Sequence, residues 1–142
     1  MTRSATDALH TIHTATNDVV KGYREMQTRA EPEIQPVIRR LTDMHVAHAA
    51  EQETELACRR DAASDDSSLQ GTVNKVVVIL RDWLSRVDRD VLPAVREGEE
   101  SLLEEYAKAF KDDYVGHDPA ATALLTRQMD EIRAEIARLP TD

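Results

Sequence analysis

Hydrophobic residues recur at intervals of three and four along most of the chain, which is the spacing of one face of an α-helix. The first such stretch begins with Ser4 as a predicted N-cap and Asp7 near the positive end of the helix dipole. It continues to about Arg29 through one stripe of positions: Leu9, Ile12, Thr16, Val19, Tyr23 and Met26. His10 and His13 lie beside this stripe, and we expect both to be partly exposed.

A second helix follows a break at Glu31-Pro32-Glu33. Pro32 suits a first helical position, and Pro36 is tolerable in or near the first turn, where a missing N–H costs little. The buried stripe begins with Ile34, Val37, Ile38, Leu41 and Met44, and the helix should end near Ala63. The polar stretch from Ser64 to Ser68 predicts a loop, which either joins neighbouring helices or crosses the end of a bundle.

The third helical segment is predicted in two parts, broken near Asp90 to Pro93 because a proline there kinks or restarts a helix. Trp83 in the first part is expected to pack in the core. The first stripe is Leu69, Val73, Val76, Val77, Leu80, Leu84 and Val87, and the second is Leu92, Val95, Glu99, Leu102, Tyr106 and Ala109. Periodicity therefore points the carboxylate of Glu99 inward.

The last helix has clear boundary signals, with Gly116 as a terminator, Asp118 as N-cap and Pro119 at the first helical position. Its stripe is Leu125, Gln128, Ile132, Glu135 and Leu139. Four amphipathic segments with short connections indicate an all-α, antiparallel four-helix bundle. We expect residues 1–142 to form a single domain.

The composition is typical of a helical protein, and the net charge excludes some classes of partner. The 142 residues are 41% hydrophobic, only 4% aromatic and include four glycines, while the formal net charge is −9. An acidic chain repels phosphate backbones, so neither nucleic acid nor an anionic membrane surface is an expected partner. No apolar run is long enough to cross a bilayer, and Cys58 as the single cysteine allows no intrachain disulfide. We therefore expect a cytoplasmic protein.

The stretch from Leu41 to Leu56 carries the candidate chemistry, because its apolar seam turns polar. A carboxylate-bridged metal site in a bundle needs glutamates and histidines from facing helices at one level. The candidate ligands for iron or another divalent metal are His48, Glu51, Glu55, Glu99 and Glu135. This set is incomplete for two metals. In the alternative interpretation His48 and Glu51 belong to an exposed rim, and the buried seam continues through His45, Ala49, Gln52 and Leu56.

Several short motifs resemble a bacterial family of ferritin-like four-helix-bundle proteins of unknown function. They are Gly22-Tyr-Arg-Glu25, Arg96-Glu-Gly-Glu-Glu100, Leu103-Glu-Glu-Tyr-Ala107 and Gln128-Met-Asp-Glu-Ile-Arg-Ala134. The resemblance implies a ferritin-like bundle that can bind metal. Such a protein would be expected to carry a histidine one to two turns after the Gln of the last helix. This chain has Glu135 and Ile136 there, and isoleucine cannot ligate a metal.

Complete apolar seams combined with an incomplete ligand set favour a non-enzymatic bundle with a structural or stress-related role and no catalytic residues. We expect it to self-associate through a helix face as a homo-oligomer. The alternative is a metal-binding oxidoreductase or iron-handling protein that uses His48, Glu51 and Glu99, with Glu55 or Glu135 completing the site.

Overall fold

A computed structural model describes residues 4–59, 88–111 and 113–140, and the regular elements within these ranges are all helices. Helix α1 spans Ala5–Gln27 and helix α2 spans Gln35–Cys58. A 3-10 turn at Arg89–Val91 leads into helix α3, Leu92–Lys111. The short helix α4 spans Asp113–Gly116, and helix α5 spans Pro119–Ala137.

The predicted caps of the first and last helices are confirmed. The Ser4 hydroxyl accepts a hydrogen bond from the Asp7 backbone N–H at 3.1 Å, and the Asp7 carboxylate accepts one from the Ser4 N–H at 3.3 Å. This reciprocal pair satisfies two backbone donors that a helix start leaves free. At the start of α5, Asp118 accepts from the Ala121 N–H at 3.1 Å, and Pro119 follows it at the first helical position.

Of the two helix starts predicted in the middle of the chain, the start of α2 is corrected and the break before α3 is confirmed. Pro32 lies in the turn before α2 rather than at its first helical position, and Pro36 falls in the first turn of that helix. The break predicted near Asp90 to Pro93 is a new helix start, because Asp88 caps the 3-10 turn through the Asp90 N–H at 2.9 Å. Pro93 is tolerated in the first turn of α3, because the N–H groups of a first turn have no partner within the helix.

The long helices α1, α2, α3 and α5 pack around one hydrophobic core and form a four-helix bundle, as predicted. Helix α1 lies against α2 and α3, and α5 lies against the same two helices. The predicted stripe positions of α3 are all buried: Leu92, Val95, Glu99, Leu102, Tyr106 and Ala109. The second seam is buried through His45, Ala49, Gln52 and Leu56, as in the alternative interpretation, but His48 is buried as well and does not belong to an exposed rim.

Neighbouring helices run antiparallel, as hydrogen bonds between them show. Between α1 and α2, His13 pairs with Glu53 while Thr16 pairs with Gln52, so residue numbers rise on one helix as they fall on the other. Helices α2 and α3 are diagonal and run in the same direction: His45 pairs with Glu99, and Gln52 pairs with Tyr106. The end of α2 and the start of α3 therefore lie at opposite ends of the bundle.

Several predictions concern residues outside the described ranges. These are the continuation of α2 to Ala63, the loop from Ser64 to Ser68, the stripe from Leu69 to Val87 and the packing of Trp83. They stay predictions, as does the assignment of residues 1–142 to a single domain.

Candidate functional site in the polar core

Polar side chains occupy the middle of the bundle, where a purely hydrophobic core would be expected. The buried polar residues in the described ranges are His13, Thr16, His45, His48, Gln52, Glu99, Ser101 and Gln128. Burying such groups is unfavourable unless hydrogen bonds replace those lost to water. Five of them, Thr16, His45, Gln52, Glu99 and Gln128, form two polar layers with two buried tyrosines through hydrogen bonds between helices.

The first layer, called here the carboxylate layer, consists of Tyr23, His45 and Glu99. The Tyr23 hydroxyl donates to Glu99 Oε2 at 2.5 Å. His45 Nε2 lies 2.9 Å from Glu99 Oε2 and 3.0 Å from Oε1, and the side chains of His45 and Glu99 are both 0% exposed. A carboxylate can only accept here, so Nε2 carries the proton. This layer joins α1, α2 and α3.

The environment of Tyr23 suppresses its ionisation. Burial raises the pKa of its hydroxyl well above the ordinary value, and the negative charge and hydrogen bond of Glu99 raise it further. The tyrosine ring stacks on His45 at a centroid distance of 6.1 Å. Tyr23 therefore stays protonated and acts as a hydrogen-bond donor to the buried carboxylate.

His48 lies one turn after His45 and links α2 to α5. Its Nε2 is 2.9 Å from Glu131 Oε1, and the two histidine rings meet edge to face with centroids 5.9 Å apart. Burial lowers the pKa of His48, and the carboxylates of Glu131 and Glu51 offset only part of this effect. The imidazole of His48 is therefore neutral near pH 7.

The second layer, called here the glutamine layer, joins all four long helices through Thr16, Gln52, Tyr106 and Gln128. The Gln52 amide donates toward Thr16 Oγ1, the Tyr106 hydroxyl and Gln128 Oε1 at 3.3, 3.2 and 3.0 Å. The Tyr106 hydroxyl in turn donates to Gln128 Oε1 at 2.9 Å. Burial is the main cause that raises the pKa of Tyr106, so this hydroxyl also stays protonated.

The five ligands predicted for a metal do not converge in the structure. Glu99 contacts His45 rather than His48. Glu51 lies on the same face as His48, but its carboxylate accepts from Arg127 at 2.6 Å. That bond and a second one from Gln128 outweigh burial, and the pKa of Glu51 is lowered.

The remaining two predicted ligands are engaged by arginines near the surface. Glu55 accepts from Arg59 at 3.0 Å, and Glu135 accepts from Arg40 at 2.6 Å. Within the ranges that the structure describes, no group of three or more His, Cys, Asp or Glu side chains is placed to hold a metal ion. A carboxylate-bridged site with these ligands stays a prediction.

Several residues of the polar network lay outside the predicted site. His45 and Gln52 appeared only in the alternative seam, Tyr23 only as a stripe residue, and Glu131 was not assigned a buried partner. His13 was expected to be partly exposed, but it is buried and lies 3.2 Å from Glu53 on α2. The signal in the sequence was the spacing His45, His48, Gln52, which is one continuous helical face.

Two imidazole nitrogens and one amide oxygen of this core take no part in the hydrogen bonds of the described residues. His45 Nδ1 and His48 Nδ1 are buried and have no hydrogen-bond partner in the described part of the chain, and the same holds for Gln52 Oε1. A neutral imidazole with its proton on Nε2, as in His48, presents a lone pair at Nδ1. The core can therefore accept hydrogen bonds from a small donor or offer nitrogen lone pairs to a cation.

These features define the class: an all-α four-helix bundle with two polar layers in its core. The chain belongs to the family described as "Domain of unknown function (DUF2383)", whose model matches residues 4–112. The matched region includes α1, α2 and α3, whereas Gln128 and Glu131 on α5 lie beyond it. No curated protein and no solved structure matches the chain. None of the helices in the described ranges combines the length and apolar character that a membrane span requires.

Proposed function

We propose that this protein is a non-enzymatic, ferritin-like helical bundle of the cytoplasm with a structural or stress-related role. In this proposal the polar layers align the four helices instead of carrying out a reaction. One observation supports it above the others. Glu99 is fully buried, and its two oxygens are engaged by Tyr23 and His45 from two other helices. A carboxylate held in this way fixes the relative position of three helices, because any shift would leave a buried charge unpaired.

The glutamine layer supports the same role. Gln52 and Gln128 are fully buried, and their amides bind Thr16, Tyr106 and each other across the bundle. Hydrogen bonds between buried side chains of different helices favour one register over others, since a slipped helix would lose several of them at once. The layer therefore suits a scaffold better than a substrate pocket.

Self-association through a helix face is part of the proposal. Helical bundles commonly assemble as symmetric homo-oligomers. Sedimentation velocity across micromolar concentrations tests this point: we expect a species larger than a monomer. A single monomeric boundary at every concentration would remove self-association and leave the structural role of the core intact.

The alternative is a metal-binding oxidoreductase or iron-handling protein that uses His48, Glu51 and Glu99 with Glu55 or Glu135. The two unpartnered imidazole nitrogens favour it, because imidazole is a common ligand of iron and other divalent metals. The arginine partners of Glu51, Glu55 and Glu135 oppose it, because those carboxylates are already neutralised by cations. The donor set present does not fit a dinuclear carboxylate centre.

Iron(II) titration under oxygen separates the two functions, with uptake followed by absorbance and by metal content. The structural proposal expects no stoichiometric uptake by the wild-type protein. Stoichiometric uptake that is lost in His48→Ala and retained in Glu97→Ala would instead establish the metal function. Glu97 is the matched control, because it is an exposed glutamate of α3 near Glu99.

A further inference from the structure

The outer surface of α2 carries a row of side chains, called here the α2 stripe. Its members are spaced by three and four residues along one line of the helix: Arg39, Thr42, Val46, Ala50 and Glu53. Thr42 is half-buried, and the other four are exposed. Val46, at 39% exposure, is the large hydrophobic side chain that the described residues leave at the surface. The α2 stripe therefore has an apolar centre and one charged residue near each end.

The spacing of the α2 stripe is symmetric about Val46, and its charge is opposite at the two ends. Thr42 and Ala50 are each four residues from Val46. Arg39 and Glu53 are each seven residues from Val46, one of them positive and the other negative. A row with this order is complementary to an identical row that runs in the opposite direction, as a two-fold contact between identical chains requires.

Both charged ends of the α2 stripe have capacity for a further partner. Arg39 forms no ion pair or hydrogen bond with another side chain of the described residues. Glu53 uses Oε1 for His13 at 3.2 Å and is 51% exposed, which leaves Oε2 to accept from another group. The chain carries a net charge of −9, so two copies repel each other at a distance and association needs local pairs of opposite charge.

We propose that the α2 stripe binds the α2 stripe of a second copy of this chain, antiparallel, about a two-fold axis that passes through Val46. The two Val46 side chains pack on each other at the axis. Thr42 faces Ala50 of the second copy, and Arg39 pairs with Glu53 of the second copy. The two-fold axis repeats each pairing, so the interface contains two ion pairs, which lie about 21 Å apart because 14 residues of helix separate them.

The charges favour the antiparallel arrangement over the parallel one. A parallel pair of α2 helices in the same register would place Arg39 against Arg39 and Glu53 against Glu53, and like charges across an interface disfavour association. The small side chains of Thr42 and Ala50 also suit a close approach of two helices. The occupant of this surface is therefore a second copy of the chain, in a single orientation.

Sedimentation velocity over a micromolar concentration series tests the apolar centre. The wild type should change from monomer to dimer as the concentration rises, whereas Val46→Glu should stay a monomer, because it brings two carboxylates together on the axis. Ala134→Glu is the matched control, since it adds the same charge at an exposed alanine of α5, and it should dimerise like the wild type. An unchanged transition in Val46→Glu, or an equal loss in Ala134→Glu, would overturn the interface.

Charge reversal tests the antiparallel pairing. Arg39→Glu and Glu53→Arg should each weaken dimerisation by about tenfold, because each substitution places two pairs of like charges across the interface. Arg39→Glu combined with Glu53→Arg should regain most of the lost affinity, because the pairing is then kept in the opposite sense. Circular dichroism of the variants, with an unchanged helix content expected, separates loss of the contact from loss of the fold. A combined variant as weak as the single ones would overturn the two-fold arrangement.

This interface rests on the self-association that is part of the proposed function, and the two fail differently. A wild type that is monomeric at every concentration would remove self-association and the interface together. A wild-type dimer that Val46→Glu leaves intact would keep self-association and remove only this surface.

Discussion

His45 and Glu99 form a hydrogen-bonded pair at 2.9 Å in which neither side chain has any exposed surface. Helix α2 supplies the imidazole and the diagonal helix α3 supplies the carboxylate, so the pair spans the centre of the bundle. Removing the shared acceptor would leave two buried donors, the Tyr23 hydroxyl and His45 Nε2–H, without a partner.

Glu99→Ala should therefore lower the free energy of unfolding by about 2–6 kcal/mol, since each unpaired buried donor costs about 1–3 kcal/mol. Glu99→Gln should cost clearly less, since its amide can still accept from Tyr23 and donate to a His45 ring with its tautomer reversed. Urea denaturation of both variants measures the difference. Glu97→Ala, an exposed change on the same helix, should stay within about 0.5 kcal/mol of the wild type. Equal losses for Glu99→Gln and Glu99→Ala would show that hydrogen bonding at Glu99 is unimportant.

The placement of Glu99 shows which features of the fold and the site can be predicted from the sequence. Its inward position followed from the stripe Leu92, Val95, Glu99 and Leu102, and the caps Ser4 and Asp118 followed from residue type alone. These features are local: a helix of about 3.6 residues per turn fixes which side chains share a face. The partner of Glu99 depends on the rotation and axial offset of a different helix, which no local pattern contains.

The second helix shows where extrapolation from a local pattern fails. The seam from Val37 through Leu41 and Met44 was continued to Glu51 and Glu55 with a seven-residue repeat. The buried seam has the same repeat, since His45 and Gln52 are also seven residues apart, so the two seams differ in their rotation about the helix axis. Glu51 is accordingly 37% exposed, whereas the next residue, Gln52, is completely buried. The buried face is centred on the alternative seam, and Met44, Glu51 and Glu55 lie at its partly exposed edge.

The hydroxyl groups of the two core tyrosines should contribute differently to stability, because one donates to a carboxylate and the other to an amide oxygen. Tyr23 donates to the Glu99 carboxylate, while Tyr106 donates to the Gln128 amide oxygen, and both rings are fully buried. Hydrogen bonds to charged groups contribute about 1.5–3 kcal/mol, compared with about 0.5–1.5 for neutral pairs. Tyr23→Phe should therefore destabilise the protein more than Tyr106→Phe. Chemical denaturation of the two variants side by side checks the order, and the reverse order would contradict the stronger hydrogen bond assigned to Tyr23.

His48 predicts a loss of stability in mild acid. Burial lowers its pKa below the ordinary 6.5, so the unfolded chain binds a proton more readily than the folded protein. The contribution of neutral His48 is complete above pH 6.5 and decreases as the pH falls from 6.5 toward the lower pKa of the folded state. His48→Gln should have a flatter stability profile between about pH 7 and 5. Denaturation at a series of pH values measures both profiles, and parallel curves would contradict the assignment.

Arg59 and Asp118 form an ion pair between the end of α2 and the start of α5. Two hydrogen bonds of 2.7 and 2.8 Å join the guanidinium to the carboxylate, and Asp118 also caps α5. The hydrogen bonds from Arg59 are the main cause that lowers the pKa of Asp118 to about 2 from an ordinary 3.8. A lowered carboxyl pKa contributes stability that is complete above the unfolded value and is lost as the pH falls through the folded value. The contribution of Asp118 should therefore disappear between about pH 4 and pH 2.

Two substitutions distinguish the contribution of Asp118 as an N-cap from its contribution to the ion pair with Arg59. Asp118→Asn keeps an N-cap oxygen and removes the charge, while Asp118→Ala removes both and should cost about 1 kcal/mol more, the usual contribution of a cap. The difference between wild type and Asp118→Asn should be present at pH 7 and should shrink as the pH approaches 2, because protonation then neutralises the wild-type carboxyl as well. The pH dependence of urea midpoints for the three proteins provides the test. A difference that is independent of pH would mean that the amide changes the cap itself and that the charge of Asp118 contributes nothing.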